Sequence, residues 1–127
     1  MTNSQPRLRR AREEIDAARL LAGSKFGAAA VSRSCYAAFY AAEVALLSLG
    51  ETRSKHSRVV SAIGQIAVKQ HGLDPQAGRL LRSLFDRRSQ ADYGLTDVPS
   101  EEADRAVADA EHVVEIVQAW LPADRDG

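Results

Sequence analysis

The chain has 127 residues and a mass of 13.8 kDa, with 45% hydrophobic and 27% charged residues, a composition that fits one soluble globular domain and excludes a disordered or fibrous chain. The net charge is zero, yet residues 1–93 carry 15 basic and 8 acidic side chains and residues 94–127 carry 2 and 9. The two parts are expected to neutralise each other by packing an acidic tail over a basic body, because a pI near 6.8 lies well below that of a dedicated nucleic-acid domain.

Five segments show helical periodicity and none shows sustained apolar/polar alternation, which predicts an all-α fold. The first helix, about 6–22, repeats Leu8, Ala11, Ile15, Ala18 and Ala22 at intervals of three and four and turns Arg9, Arg10, Arg12, Glu13, Glu14, Asp16 and Arg19 outward. Gly23 stops it and Ser24 is placed to cap the next. The second, about 25–49, is apolar on nearly every side. Its many alanines allow close approach of neighbours, while Phe26, Val31, Phe39, Val44, Leu46, Leu47 and Leu49 supply volume, so it is expected at the centre.

The third helix, about 57–71, aligns Val59, Val60, Ile63, Ile66 and Ala67 before Gly72. Asp74 and Pro75 form an N-cap and first-turn pair that opens the fourth, about 75–92. Ser100, Glu101 and Glu102 begin the fifth, about 101–121, whose stripe runs from Ala103 to Leu121 before Pro122 and a tail, 122–127. Loops this short make an up-and-down antiparallel bundle of four to five helices in a single domain, 1–127.

No uncharged stretch reaches the about 20 residues that cross a bilayer, and the first 16 residues carry seven charges where a signal peptide needs an apolar core. With the lone Cys35 unable to form an internal disulfide, the expected compartment is the reducing cytoplasm, without membrane association. Cys35 reads as a small core residue. His56, His71 and His112 lack metal-ligand spacing, so neither a metal nor another cofactor is expected.

Packing does not account for three features. Arg88 projects at about 80° on a helical wheel where Leu80, Leu81, Leu84, Phe85 and Ala77 span about 0–140°, so its charge is aimed along the apolar stripe and needs compensation. Asp92, at i+4, is one partner; an anionic ligand in a cleft is the other. On the central helix Arg33, Tyr36, Tyr40 and Glu43 share one face, as an internal Arg–Glu network or as a wall of that cleft. The loop from Glu51 to Arg58 holds Arg53, Lys55, His56, Ser57 and Arg58 at a helix start, a phosphate site or an exposed basic loop.

Three of these stretches, Ser32-Arg33-Ser34-Cys35-Tyr36-Ala37-Ala38-Phe39-Tyr40-Ala41-Ala42-Glu43, Ser54-Lys55-His56-Ser57 and Arg88-Ser89-Gln90-Ala91-Asp92-Tyr93, resemble landmarks of the HEPN (higher eukaryotes and prokaryotes nucleotide-binding) family. The resemblance covers nearly the whole chain. It implies a helical bundle, frequently a homodimer, often paired as a toxin with a minimal nucleotidyltransferase antitoxin, and in many members a metal-independent RNA endonuclease.

The family's catalytic Arg corresponds to Arg88, but Tyr93 stands where the family's His is expected, as in a branch reading R-x-x-A-D-Y. The catalytic candidates are therefore Arg88, Tyr93, Asp92 and His56, and the candidates for holding an RNA or nucleotide phosphate are Arg33, Tyr36, Lys55, Ser57 and Arg87. Metal-independent RNA cleavage needs a base, a cation on the phosphorane and a proton donor. Tyr93, with an ordinary pKa of about 10, suits the donor role better than the base. His56 has a suitable pKa, and alternating helix directions would put the ends of the second and fourth helices at one pole, within its reach. The alternative is a non-catalytic binding module or dimeric scaffold for the nucleotidyltransferase, with Tyr93 as an acceptor of nucleotidyl modification.

Overall fold

A computed structural model describes residues 4–53, 55–94 and 97–122; Ser54 and the tail from residue 123 lie outside the described residues. Five helices follow the sequence periods: α1 (Ser4–Gly23), α2 (Gly27–Ser48), α3 (residues 56–71), α4 (Pro75–Tyr93) and α5 (Ser100–Trp120). No strand occurs among the described residues. The third helix is not uniform. His56–Ala62 is α-helical, Ile63–Val68 is π-helical, and Lys69–His71 returns to the α form. A wider turn of this kind leaves no mark in an apolar pattern read at 3.6 residues per turn.

The helix boundaries have local causes. Asp74 caps α4 by accepting a 2.9 Å hydrogen bond from Gln76 N–H, with Pro75 in the first turn. After α2, Gly50 adopts φ +77° while Gly50 N–H donates to Leu47 O and Glu51 N–H to Leu46 O, the two-bond ending that favours a residue without a Cβ. The α1–α2 turn uses the same ending differently from the expected Gly23 stop and Ser24 cap. Lys25 takes the left-handed position at φ +68°, Lys25 N–H donates to Ala22 O and Phe26 N–H to Leu21 O. Ser24 therefore belongs to the end of α1, and the N-cap of α2 is Phe26, which has no capping oxygen.

The central position of α2 follows from its alanines. Ala30, Ala37, Ala38, Ala41, Ala42 and Ala45 are all buried, and α2 packs against each of the other helices. Around it α1, α5, α4 and α3 follow one another in an arc. The first turn of α2 departs from the expected all-round burial: Ala28 and Ala29 are exposed, and Phe26 is 61% exposed.

Contacts show how the helices run. Arg10 lies over the Tyr40 ring and Glu14 meets Arg33, so α1 and α2 are antiparallel. Phe85 meets Phe39 and Arg88 meets Tyr36, so α4 also runs against α2. The end of α4 therefore lies near the start of α2, not near its end as simple alternation predicts. His56 stacks on Phe39, well before the end of α2. The connection after α2 thus folds back along it, and this return, not a shared pole, brings His56 to α4.

Gly27 is pressed closely by backbone. A Cβ built there would stand 2.5 Å from Val98 O. Gly27→Ala is expected to cost about 1–3 kcal/mol in urea denaturation by displacing the α4–α5 connection; a variant as stable as the parent would show that this connection gives way freely.

Candidate functional site

The α4 side chains Ala77, Leu81 and Leu84 are buried, and Arg88 continues their face toward α2 and α3. Its side chain retains 23% exposure. Arg88 Nη2 donates to Tyr36 OH at 3.2 Å, and Nη1 stands 3.4 Å from His56 Nδ1. The guanidinium carbon also lies 4.9 Å from the centroid of the Tyr36 ring, within cation–π range. Asp92 Oδ2 is 3.6 Å from Nε, an ion pair too long to be a hydrogen bond. The buried Nε has no hydrogen-bond partner among the described residues. Two neutral side chains therefore hold the cation, while one largely exposed carboxylate offsets its charge at a distance.

His56 is fixed by rings. It stacks on Phe39 with centroids 4.1 Å apart and an interplanar angle of 22°, and meets Phe85 and Tyr36 edge-on. Burial, and then the Arg88 charge, lower its pKa from the ordinary value near 6.5. A guanidinium only donates, so Nδ1 must accept and the imidazole proton sits on Nε2. The free edge of His56 is thus a hydrogen-bond donor, and its lone pair becomes a base only if Arg88 moves away.

A titration follows from this geometry. The His56 pKa, read by NMR, is expected below 6.5, and Arg88→Ala is expected to raise it by removing the repelling charge. Because the folded-state value is depressed, the stability tied to neutral His56 is present above the unfolded value of about 6.5 and is lost as pH falls through the folded value. A His56 pKa unmoved by Arg88→Ala would contradict the contact.

The remaining sequence candidates separate into those at this cluster and those away from it. Arg33 flanks the Tyr36 ring at 5.6 Å but donates to Glu14 of α1 at 3.2 Å. Glu14, expected to face outward, is buried and also receives Arg10 at 3.4 Å. Within the polar stripe of α2, Arg33, Tyr40 and Glu43 therefore face α1 while Tyr36 faces Arg88 of α4, and Glu43 is not the partner of Arg33. Glu43 is half-buried near Arg7, and burial raises its pKa against the opposing pull of that arginine.

Lys55 and Ser57 are exposed beside His56. Arg87 turns to α5 and binds Asp109 Oδ2 at 2.7 Å. Together with Arg19–Glu111 at 2.9 Å, that pair joins the basic body to the acidic helix. Tyr93, at the end of α4, is 87% exposed. Cys35 is buried, and burial pushes its thiol up to about 12, so it carries no thiolate at neutral pH.

Sequence reasoning missed Phe39, Phe85 and Glu14. The first two were legible as i+3 from Tyr36 and i−3 from Arg88, on the same faces; Glu14 was legible as i+3 from Ala11 and i−4 from Ala18, beside the core stripe.

A family model for the HEPN domain matches residues 4–120. A UPF0332 protein of Thermotoga maritima is 33% identical over 114 residues, covering 89% of this chain and 86% of that protein. A Methanocaldococcus jannaschii protein with the name "Putative toxin MJ0605" is 32% identical over 112 residues, covering 87% and 83%. A Gloeobacter violaceus UPF0332 protein is 33% identical over 114 residues, covering 88% and 90%. The match spans all five helices and the Arg88 cluster they assemble: the chain belongs to the HEPN-domain family.

Proposed function

We propose that this protein is a toxin-type HEPN protein of the cytoplasm that binds RNA through a backbone phosphate at Arg88, acting as a homodimer opposed by a nucleotidyltransferase antitoxin. The observation that carries the reading is the state of Arg88. Its guanidinium is partly exposed and is held by Tyr36 OH and His56 Nδ1 instead of being consumed by carboxylates. A cation positioned by neutral groups keeps its charge for an incoming anion. The family match and the toxin-named relative support the biological setting.

Arg88 would stabilise charge on the phosphate, and the Nε2–H of His56 and the hydroxyl of Tyr36 would orient its oxygens. RNA cleavage by this set requires displacement of Arg88 from Nδ1, which would free a base in His56. The test uses single-stranded RNA in EDTA. The parent is expected to bind it, and to cleave it if ligand draws Arg88 off His56, whereas Arg88→Ala is expected to do neither with its helical circular dichroism intact. Equal binding by the two proteins would remove Arg88 from the function.

A second reading rests on the exposure of Tyr93. A phenol so accessible at a helix end suits nucleotidyl transfer by the antitoxin partner. Intact mass after co-expression is expected to rise by a nucleotidyl group, and to remain unmodified in Tyr93→Phe. A mass gain that persists in Tyr93→Phe would place the modification elsewhere.

A further inference from the structure

The surface around Arg88 is electrostatically lopsided. Beyond the end of α4 lies a groove lined by Val31, Arg87, Gln90, Asp97, Val98 and Glu102. Arg87 is already paired with Asp109, whereas Asp97, Glu101 and Glu102 are exposed and make no salt bridge among the described residues. A polyanion leaving Arg88 in that direction meets two uncompensated carboxylates in the groove, Asp97 and Glu102.

On the other side of the cluster, Lys55 immediately precedes His56 and is exposed, as is Arg58. Neither makes a salt bridge among the described residues. Arg58 and Arg53 line one shallow depression of about 270 Å³ with Ser61, Ala62, Gln65 and Ile66, in which Ser61 and Gln65 add neutral hydrogen-bonding groups beside an apolar floor. Arg53 is turned to Glu51 at 3.0 Å and to Thr52 O at 2.7 Å, leaving Arg58 as the uncommitted cation of the depression. Two helical positions separate His56 from Arg58, which puts their side chains on roughly opposite sides of α3. A chain passing from one to the other must go around the start of that helix, over Lys55.

We infer that a single-stranded RNA held at Arg88 leaves the site over Lys55 and continues into the Arg53–Arg58 depression, away from the carboxylates of residues 97–102. This path rests on the proposed phosphate role of Arg88 and extends it to a direction and to contacts that the cluster itself does not contain. Longer single strands bind more tightly than a dinucleotide because only they reach Arg58. The path is electrostatic and follows the backbone, so it tolerates sequence changes in the RNA.

The experiment measures affinity by fluorescence anisotropy for a dinucleotide and for a longer single-stranded RNA across a salt series, with the full chain. Lys55→Gln and Arg58→Gln are expected to weaken binding of the longer strand and to reduce the slope of log K against log salt by roughly 0.7 each, and Arg58→Gln is expected to leave dinucleotide affinity unchanged. Asp97→Asn with Glu102→Gln is expected to leave binding intact or improve it. Unchanged slopes in Lys55→Gln and Arg58→Gln, with binding still lost in Arg88→Ala, would overturn the path while leaving the role of Arg88 standing. Binding unaffected by Arg88→Ala would overturn both. Weaker RNA binding accompanied by a change of oligomeric mass in sedimentation would assign this face to a second copy of the chain and overturn the path.

Discussion

Phe39→Ala is expected to destabilise the protein by about 3–5 kcal/mol and to loosen the site in the same stroke. The side chain is 3% exposed, and one ring supports both halves of the cluster: His56 stacks on it at 4.1 Å and Phe85 meets it edge-on at 6.0 Å. Removing it leaves a cavity where α2, α3 and α4 converge. Thermal unfolding should fall by about 10–20 °C for a chain of this size, and the His56 pKa should move up as water reaches the imidazole. Phe39→Leu should recover much of the stability and little of the stacking. A loss below about 1 kcal/mol in Phe39→Ala would mean that the three helices meet elsewhere.

Arg88→Lys is expected to fail almost as fully as Arg88→Ala in RNA binding, although it keeps the charge. The guanidinium fork reaches Tyr36 OH and His56 Nδ1 through separate nitrogens, and a single ammonium does not span both. The loss of one charge-assisted hydrogen bond, about 1.5–3 kcal/mol, corresponds to a roughly 10- to 150-fold weaker affinity. Arg79→Ala, on the exposed side of α4, serves as the control and should change affinity little. Parent-like binding by Arg88→Lys would reduce Arg88 to a point charge and make the geometry of the cluster irrelevant.

The helices were legible because their causes are local: Asp74 and Pro75 mark a start, Gly50 and Gly72 mark ends, and the apolar stripes of α4 and α5 repeat at the helical period. The anomalous position of Arg88 was legible for the same reason, since its direction follows from the wheel. Its partners are another matter. Tyr36 lies 52 residues away and His56 lies 32 away, and their meeting depends on a connection that folds back along α2 against the expected alternation. The π-helical Ile63–Val68 segment leaves the apolar period unchanged, and the left-handed position of the α1–α2 turn falls on Lys25, two residues after the glycine that marks the turn. Residue type alone points Glu14 to solvent, and a shared helix face pairs Glu43 with Arg33. In the structure, Arg33 finds its carboxylate on α1.

The measurement that bears most directly on the state of Arg88 is the NMR response of its side-chain N–H groups to short single-stranded RNA. With the guanidinium open to an anion, the Arg88 resonances and the Nε2–H of His56 should shift together and saturate, with Arg53 and Arg58 following only for longer strands. Arg88 signals that stay fixed while those of surface arginines move would show that the guanidinium is an internal brace and that RNA binds elsewhere.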